Sequence, residues 1–479
     1  MIMLTFFICL VALVAAYFLY GRFLERVANI DSKAKVPSET SYDGVDYIPL
    51  PRWRVFLIQL LNIAGTGPIF GAILGACYGP VAFLWITLGG IFMGAMHDFL
   101  SGVISLRNNG QSLPETIGKY LGSGTRRLAI TFTPIIMLLV GAVFIVTPSN
   151  ILTEMTGLPY TVWLVIIIVY YFIATILPVD KIIARVYPIF GAALIFMVVS
   201  LFGVLLFGGY EIPELTSVEN MHAKSDTLPI IPTLCISIAC GAISGFHATQ
   251  SPLMARCIKN ERECRSVFFG AMITESIIAL IWAAIAMAFF GGVEGLNGAL
   301  GEVNGDAGSV VSQITSTTLG IVGSILALLG LVAAPITSGD TAFRSARLII
   351  ADTLHIDQRS VAKRLMVSIP LFAIGISIAF IDFDVIWRYF AWANQTLAVF
   401  VLWMITSWLY RRRSRFSLIA LIPALFMTYV CVSFVFISEQ FVGLGVCDAA
   451  YVYGGAATAI IAGLAMIKIR RDVRHGAEI

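Results

Sequence analysis

Five ionisable side chains stand inside stretches that are otherwise apolar: His97 and Asp98, His247, Glu275 and Asp340. A charge at the centre of a bilayer costs about 3 kcal/mol on insertion scales, so each is a functional candidate by default. Glu275 lies about ten residues into its apolar run, which at ~1.5 Å per residue is near mid-bilayer. A carboxyl there is suited to taking up and releasing a proton, or to tying two helices together through an ion pair. His97 and Asp98 are adjacent and are expected to project from different faces of a helix, one toward the core and one toward a separate partner. Asp340 precedes Arg344 and Arg347 by one and two turns and reads as a local ion pair at an inner surface. Thr337 and Ser338, ahead of Gly339, Asp340 and Thr341, offer hydroxyl oxygens that suit Na⁺, and Asn394 and Gln395 add amides to another apolar run.

Other chemistries find less in the residues. Ser244 lacks the G-x-S-x-G setting of a hydrolase nucleophile, and the histidines show no metal-ligand spacing. The eight cysteines form no C-x-x-C pair, so neither a metal nor a disulfide framework is expected. Nothing matches a P-loop, so no ATP is expected, and the net charge of +3 does not point to nucleic acid.

The elements that must position these residues are apolar runs near 2–20, 54–78, 80–106, 128–147, 160–177, 188–208, 229–253, 266–290, 315–337, 363–381, 386–409, 416–437 and 452–469. Each approaches the ~20 residues needed to cross a bilayer, which predicts an all-α, polytopic membrane protein of about thirteen transmembrane helices. With 58% hydrophobic and 12% charged residues the chain is far from a soluble domain, where about 25% are charged. Of its 31 lysines and arginines, all but Lys224 and Arg388 fall at alternate ends of these runs, including Lys181 and Arg185. The intervening loops carry acidic residues such as Glu154, Glu214, Glu294, Asp306, Asp382, Glu439 and Asp448. By the positive-inside rule the N-terminus is expected outside and the C-terminus in the cytoplasm. The first run has no basic residues before it and reads as a retained helix rather than a cleaved signal.

Two runs are interrupted near their middles. Asn62-Ile63-Ala64-Gly65-Thr66-Gly67-Pro68 breaks the second, and Gly241-Ala242-Ile243-Ser244-Gly245-Phe246-His247 breaks the seventh with opposite orientation. Non-helical backbone at membrane depth is tolerated only where it lines a cavity or site. The breaks open two blocks of five spans, 54–208 and 229–409, so the chain divides into an extra helix and linker (1–53), a ten-helix inverted-repeat core (54–409) and two further helices with a basic tail (410–479). This is the five-plus-five, LeuT-like layout of secondary transporters. Gly65, Thr66, Gly67, Ser244, Gly245 and His247 are expected to contact substrate, with half-helix N-termini holding an anion. Asp98, Glu275, Thr337 and Ser338 are expected to couple an ion; His97, Asp340 and Asn394 are secondary candidates, and Ala64, Thr337 and Ser338 mark a place for Na⁺.

These residues carry a resemblance. Ala64-Gly65-Thr66-Gly67-Pro68-Ile69-Phe70-Gly71, Gly94-Ala95-Met96-His97-Asp98-Phe99, the block from Ile238 to His247, and Gly270-Ala271-Met272-Ile273-Thr274-Glu275-Ser276 resemble the carbon starvation protein A (CstA) family, from about Arg54 to Tyr410. The chain departs from that pattern at Gln59, Ala72 and Ala342-Phe343-Arg344. The resemblance implies a bacterial inner-membrane secondary transporter for peptides or pyruvate, with protons as the coupling ion and Na⁺ as the alternative. It implies no cofactor, no ATP and no nucleic acid, with membrane lipid and a small substrate as partners. A channel would need a continuous ring of ligands, and a starvation sensor would need a signalling domain; the sequence offers neither.

Overall fold

Apolar residues in the first helix, Leu4–Phe18, show what surrounds the molecule: Phe6, Cys9, Leu13 and Ala16 are buried, while Leu4, Ile8, Val11 and Phe18 on the other face are exposed. A helix apolar all round has a stable outer face only against lipid. The computed structural model describes residues 3–176, 183–303, 305–381 and 383–474, and among these it contains helices and no strand. Lys181 and Asp382, two of the charges used to assign topology, lie outside the described residues.

Among the described residues ten helices are long and apolar enough to cross a bilayer on their own, and an eleventh span is made by Arg52–Ala64 and Gly67–Ala76, which meet at 55°. The sequence predicts thirteen spans, and the other two are the fifth and the seventh. Of the fifth, 17 residues are described, Tyr160–Ile176, and the run at 230–255 is so interrupted that none of its pieces reaches spanning length. The ninth span also lies elsewhere than expected. Helix Ala307–Thr353 bends at Gly320 and carries on through Asp340, Arg344 and Arg347, residues expected at or beyond its inner end. Those polar side chains are buried against neighbouring helices, so their polarity does not end the helix.

The connections separate into two groups. At one end Arg107 pairs with Glu261 at 2.6 Å and donates to the carbonyls of Ala28 and Asn29, Arg256 donates to Gly110 O, and Arg411 pairs with Asp472 at 2.9 Å. At the other end Glu214 accepts from Leu4 N and Thr5 N, and Asn297 donates to Cys77 O and Met221 O. All the first group belongs to the basic connections and all the second to the acid-bearing ones.

The linker after Ala28 lies across the basic end as a strap. Ser38 Oγ donates to Ile258 O, Leu50 N to Cys257 O, and Asp46 is buried against Arg344 at 3.1 Å and Arg347 at 3.7 Å. Tyr47 lies under the Arg256 guanidinium, 4.9 Å from its ring centre.

Candidate functional site

The two breaks cross each other. Helix Arg52–Ala64 ends at Gly65, whose φ of 43° is open to glycine and whose missing Cβ would lie 2.6 Å from the Phe144 ring. The chain resumes in a wide turn at Gly67–Gly71 behind Pro68, which has no N–H to give. In the second break the Cys235–Ser237 helix stops, Gly241 takes φ of 95°, and Gly245–Ala255 starts a new half-helix. A Cβ on Gly67 would stand 2.4 Å from Cys240 Cβ, and one on Gly71 would stand 2.7 Å from Ser237 O. Gly94, on the Trp85–Ala95 segment, approaches from the other side, with Ala242 O 2.2 Å from where its Cβ would be.

Side chains take up backbone groups that the breaks release. Leu61 O accepts from Thr337 Oγ1 at 3.1 Å and Ser338 Oγ at 2.9 Å, Ile238 O from Trp85 Nε1 at 3.0 Å, and Cys235 O from Gln395 Nε2 at 3.0 Å. Thr337 and Ser338 therefore meet the first break, and the carbonyl they meet is that of Leu61. Asn394 caps the second half-helix: its Oδ1 accepts from Phe246 N at 2.7 Å and its Nδ2 donates to Ser244 Oγ at 3.0 Å. At this half-helix N-terminus the Phe246 N–H is thus taken by a side-chain amide of the protein itself. Gly245 is likewise a packing position, with Ala398 N and Asn394 O each 2.4 Å from a Cβ placed there.

Four ionisable groups form one fully buried chain. His97 Nδ1 donates to Asp98 Oδ1 at 2.7 Å, His247 Nδ1 donates to Asp98 Oδ2 at 2.9 Å, and His247 Nε2 lies 3.4 Å from Glu275 Oε2. Adjacency in a helix predicts that His97 and Asp98 part to different faces; instead the imidazole folds back onto its neighbour's carboxylate. Asp98 fixes both Nδ1 atoms as N–H and turns both Nε2 atoms away from itself. A proton between His247 and Glu275 then belongs to a coupled pair in which each site's charge sets the other's. The chain links the third span, the second break and the eighth span, so its charge state acts on three elements at once.

Helical spacing makes Asp340 a local partner of Arg344 and Arg347. It accepts instead from Tyr187 Oη at 2.9 Å and Tyr170 Oη at 3.0 Å, and both arginines pair with Asp46 of the strap. Spacing alone could not anticipate this, since a carboxylate from a distant loop packs between the guanidinium groups.

Among the buried groups without a protein partner are the Thr66 hydroxyl and the side-chain amides of Gln59 and Asn62, all fully enclosed. Gln59 and Asn62 lie one turn apart near the end of the Arg52–Ala64 helix, and Thr66 follows just past its break at Gly65. Leaving such a group unpaired costs about 1–3 kcal/mol, which marks this stretch as a place for a polar ligand or ordered water. Sequence reasoning passes over Gln59 and Asn62 as ligands, although two amides one turn apart in an apolar helix are the available signal. The fold also gathers Cys240, His247 and Glu275, whose ligand atoms lie within 4.8 Å of one another. Sequence spacing predicts no metal constellation, because these residues come from different elements.

Comparison with known proteins follows the same lines. The chain is 41% identical to an uncharacterized membrane protein of Haemophilus influenzae, over 62% of this chain and 94% of the relative. It is 27% identical to the peptide transporter CstA of Campylobacter jejuni (63% of this chain, 52% of the relative) and 26% identical to the pyruvate/proton symporter BtsT of Escherichia coli (56% and 46%). The chain thus spans about half the length of these named transporters. Among solved structures the fold resembles MhsT in complex with L-phenylalanine, with a TM-score of 0.57 at 14% identity (88% of this chain, 99% of that one). It also resembles Mhp1, a nucleobase-cation-symport-1 family transporter in a closed conformation, with a TM-score of 0.51 at 15% identity (92% and 96%). The fold is therefore that of the LeuT-like transporters, as the paired breaks predict. The profile described as carbon starvation protein CstA matches residues 1–162 and 145–333, and the chain, a multi-pass membrane protein, belongs to that family.

Proposed function

We propose that this protein is a secondary transporter that carries a small carboxylate, a peptide or pyruvate, by ion-coupled symport with alternating access. The observation that carries the reading is the buried chain from His97 through Asp98 and His247 to Glu275, set beside two crossing helix breaks. A buried carboxylate and imidazole in one chain change charge with a single proton, and that change is felt by the backbone that must move. Substrate binds along Gln59, Asn62 and Thr66, whose polar atoms are unpaired and enclosed. The relatives named as a peptide transporter and a pyruvate/proton symporter support both the substrate class and the proton. The chain acts as a carrier rather than an enzyme, in the bacterial inner membrane with the N-terminus outside and the basic end in the cytoplasm.

A second reading, Na⁺ coupling, is favoured by one observation. Thr337 and Ser338 both reach the Leu61 carbonyl beside the first break, which gathers hard oxygen atoms of the kind Na⁺ takes.

Uptake of labelled pyruvate and of a labelled dipeptide into proteoliposomes, under a proton or a sodium gradient imposed separately, tests both. The expected result is proton-driven uptake of one substrate that is lost in Glu275→Gln. Uptake driven by sodium alone and lost in Thr337→Ala would favour the second reading. Folded protein that moves neither substrate under either gradient would sink the assignment.

A further inference from the structure

We infer that Cys240, His247 and Glu275 form a binding site for a soft divalent metal ion of the Zn²⁺ class, at the crossing of the two breaks. The three ligand atoms lie within 4.8 Å of one another, and all three residues are buried. Proximity alone would not make a site. The second observation is that His247 Nε2 and the Glu275 carboxylate are enclosed and face each other at 3.4 Å, too far for a well-formed hydrogen bond, on the side where Cys240 Sγ stands. The third is the support behind the histidine. His247 Nδ1–H is held by Asp98 at 2.9 Å, and Asp98 is itself held by His97 at 2.7 Å. Metal-bound histidines are commonly backed by a carboxylate in this way, which fixes the tautomer and leaves Nε2 as the electron-pair donor.

The donor set decides which ion fits. A thiolate, an imidazole and a carboxylate suit Zn²⁺ and its soft neighbours, whereas Ca²⁺ and Mg²⁺ require oxygen ligands. Three protein ligands leave a fourth tetrahedral position for water or an oxygen of a bound molecule. Charge also balances: a divalent ion displaces one proton from the Cys240 thiol and one from the Glu275 carboxyl, and the ion with its two anionic ligands is neutral. The metal and the protons therefore compete for the same atoms. Because Cys240 belongs to the non-helical break, His247 to the half-helix beyond it and Glu275 to a separate span, a bound ion clamps the break to the Gly270–Phe289 helix.

The inference goes beyond the transport reading and shares two residues with it, so its test reads the metal and not uptake. The full chain is purified in detergent from cells grown with added Zn²⁺, which lets the site load as the chain folds, and its metal content is measured. A second preparation is loaded with Co²⁺ and its absorption recorded. The expected result is about one zinc per chain, and for cobalt a thiolate charge-transfer band in the near ultraviolet with the visible bands of tetrahedral coordination. Cys240→Ser is expected to lose the charge-transfer band, and Cys240→Ala and Glu275→Gln to lower affinity at least ~10-fold, the scale on which even outer partners act. Cys447→Ser, which removes the exposed thiol, is expected to leave every signal unchanged. Folded wild-type chain that retains no zinc and shows no band overturns the inference, as does a band that survives in Cys240→Ser. Chain that binds metal but, once stripped of it by a chelator, still moves neither substrate would instead sink the transport reading alone.

Discussion

Thr66 and Asn394 are both buried polar residues at a helix break, and their surroundings give them opposite stability consequences. The Thr66 hydroxyl has no partner in the protein, so its burial is a cost already carried by the fold. Asn394 holds Phe246 N–H at 2.7 Å and the Ser244 hydroxyl, so its removal uncaps a half-helix inside the membrane. Thr66→Val is therefore expected to keep or raise the thermal midpoint in detergent while uptake falls, with the apparent KM rising. Asn394→Ala is expected to lose about 1–2 kcal/mol of stability, the size of a lost cap. Equal loss of stability in both variants would mean that Thr66 is a structural residue. The sequence marks Thr66, Ser244, His247 and Glu275 because each is polar within an apolar run or a glycine-rich break. It cannot show that Asn394 serves as the cap, or that His97 turns back onto Asp98, because both depend on side-chain partners brought by folding.

Glycine spacing governs how closely elements pack at the crossing. Gly94 faces the Ala242 carbonyl at 2.2 Å from a would-be Cβ, and the atom it would strike is backbone, which has no rotamer to move. Gly94→Ala is therefore expected to separate the Trp85–Ala95 segment from the second break and to leave little folded protein by size-exclusion profile. Gly124→Ala, where nothing lies within 4 Å, is the control and is expected to be neutral or to stabilise by up to ~1 kcal/mol. The two breaks are legible in the sequence, whereas the Trp85–Ala95 packing is not, since glycines are common in any membrane helix. The strap makes a second prediction at this scale. Asp46 is buried, which by itself raises its pKa, but Arg347, Arg344 and Arg256 outweigh that and hold it below the usual aspartate value of 3.8. A lowered carboxylate contributes stability at all pH above its unfolded value and loses it only as pH falls through the lower folded value. Protection of residues 36–50 from proteolysis is therefore expected to be flat between about pH 5 and 8. Asp46→Asn, which removes the carboxylate that two buried guanidinium groups share, is expected to abolish it at every pH, at a cost of about 3–5 kcal/mol. Protection that instead fades between about pH 7 and 5 would show that another group latches the strap.

Across the whole molecule, the basic connections meet at one end of the bundle and the acidic ones at the other, and this separation has an orientation that chemistry can read. Seven of the eight cysteines are buried and Cys447 alone is exposed, in the connection that directly precedes helix Asp448–Arg474. Lys468, Arg470, Arg471 and Arg474 close that same helix at its other end. The positive-inside rule puts those four residues in the cytoplasm, and a helix of 27 residues, about 40 Å long, then carries Cys447 to the outer face. A membrane-impermeant maleimide added to intact cells is expected to label the wild-type chain at Cys447, with no gain on permeabilisation and no label in Cys447→Ser. Labelling that requires permeabilisation would invert the molecule and place the strap and Asp46 at the outer face instead of the cytoplasmic one.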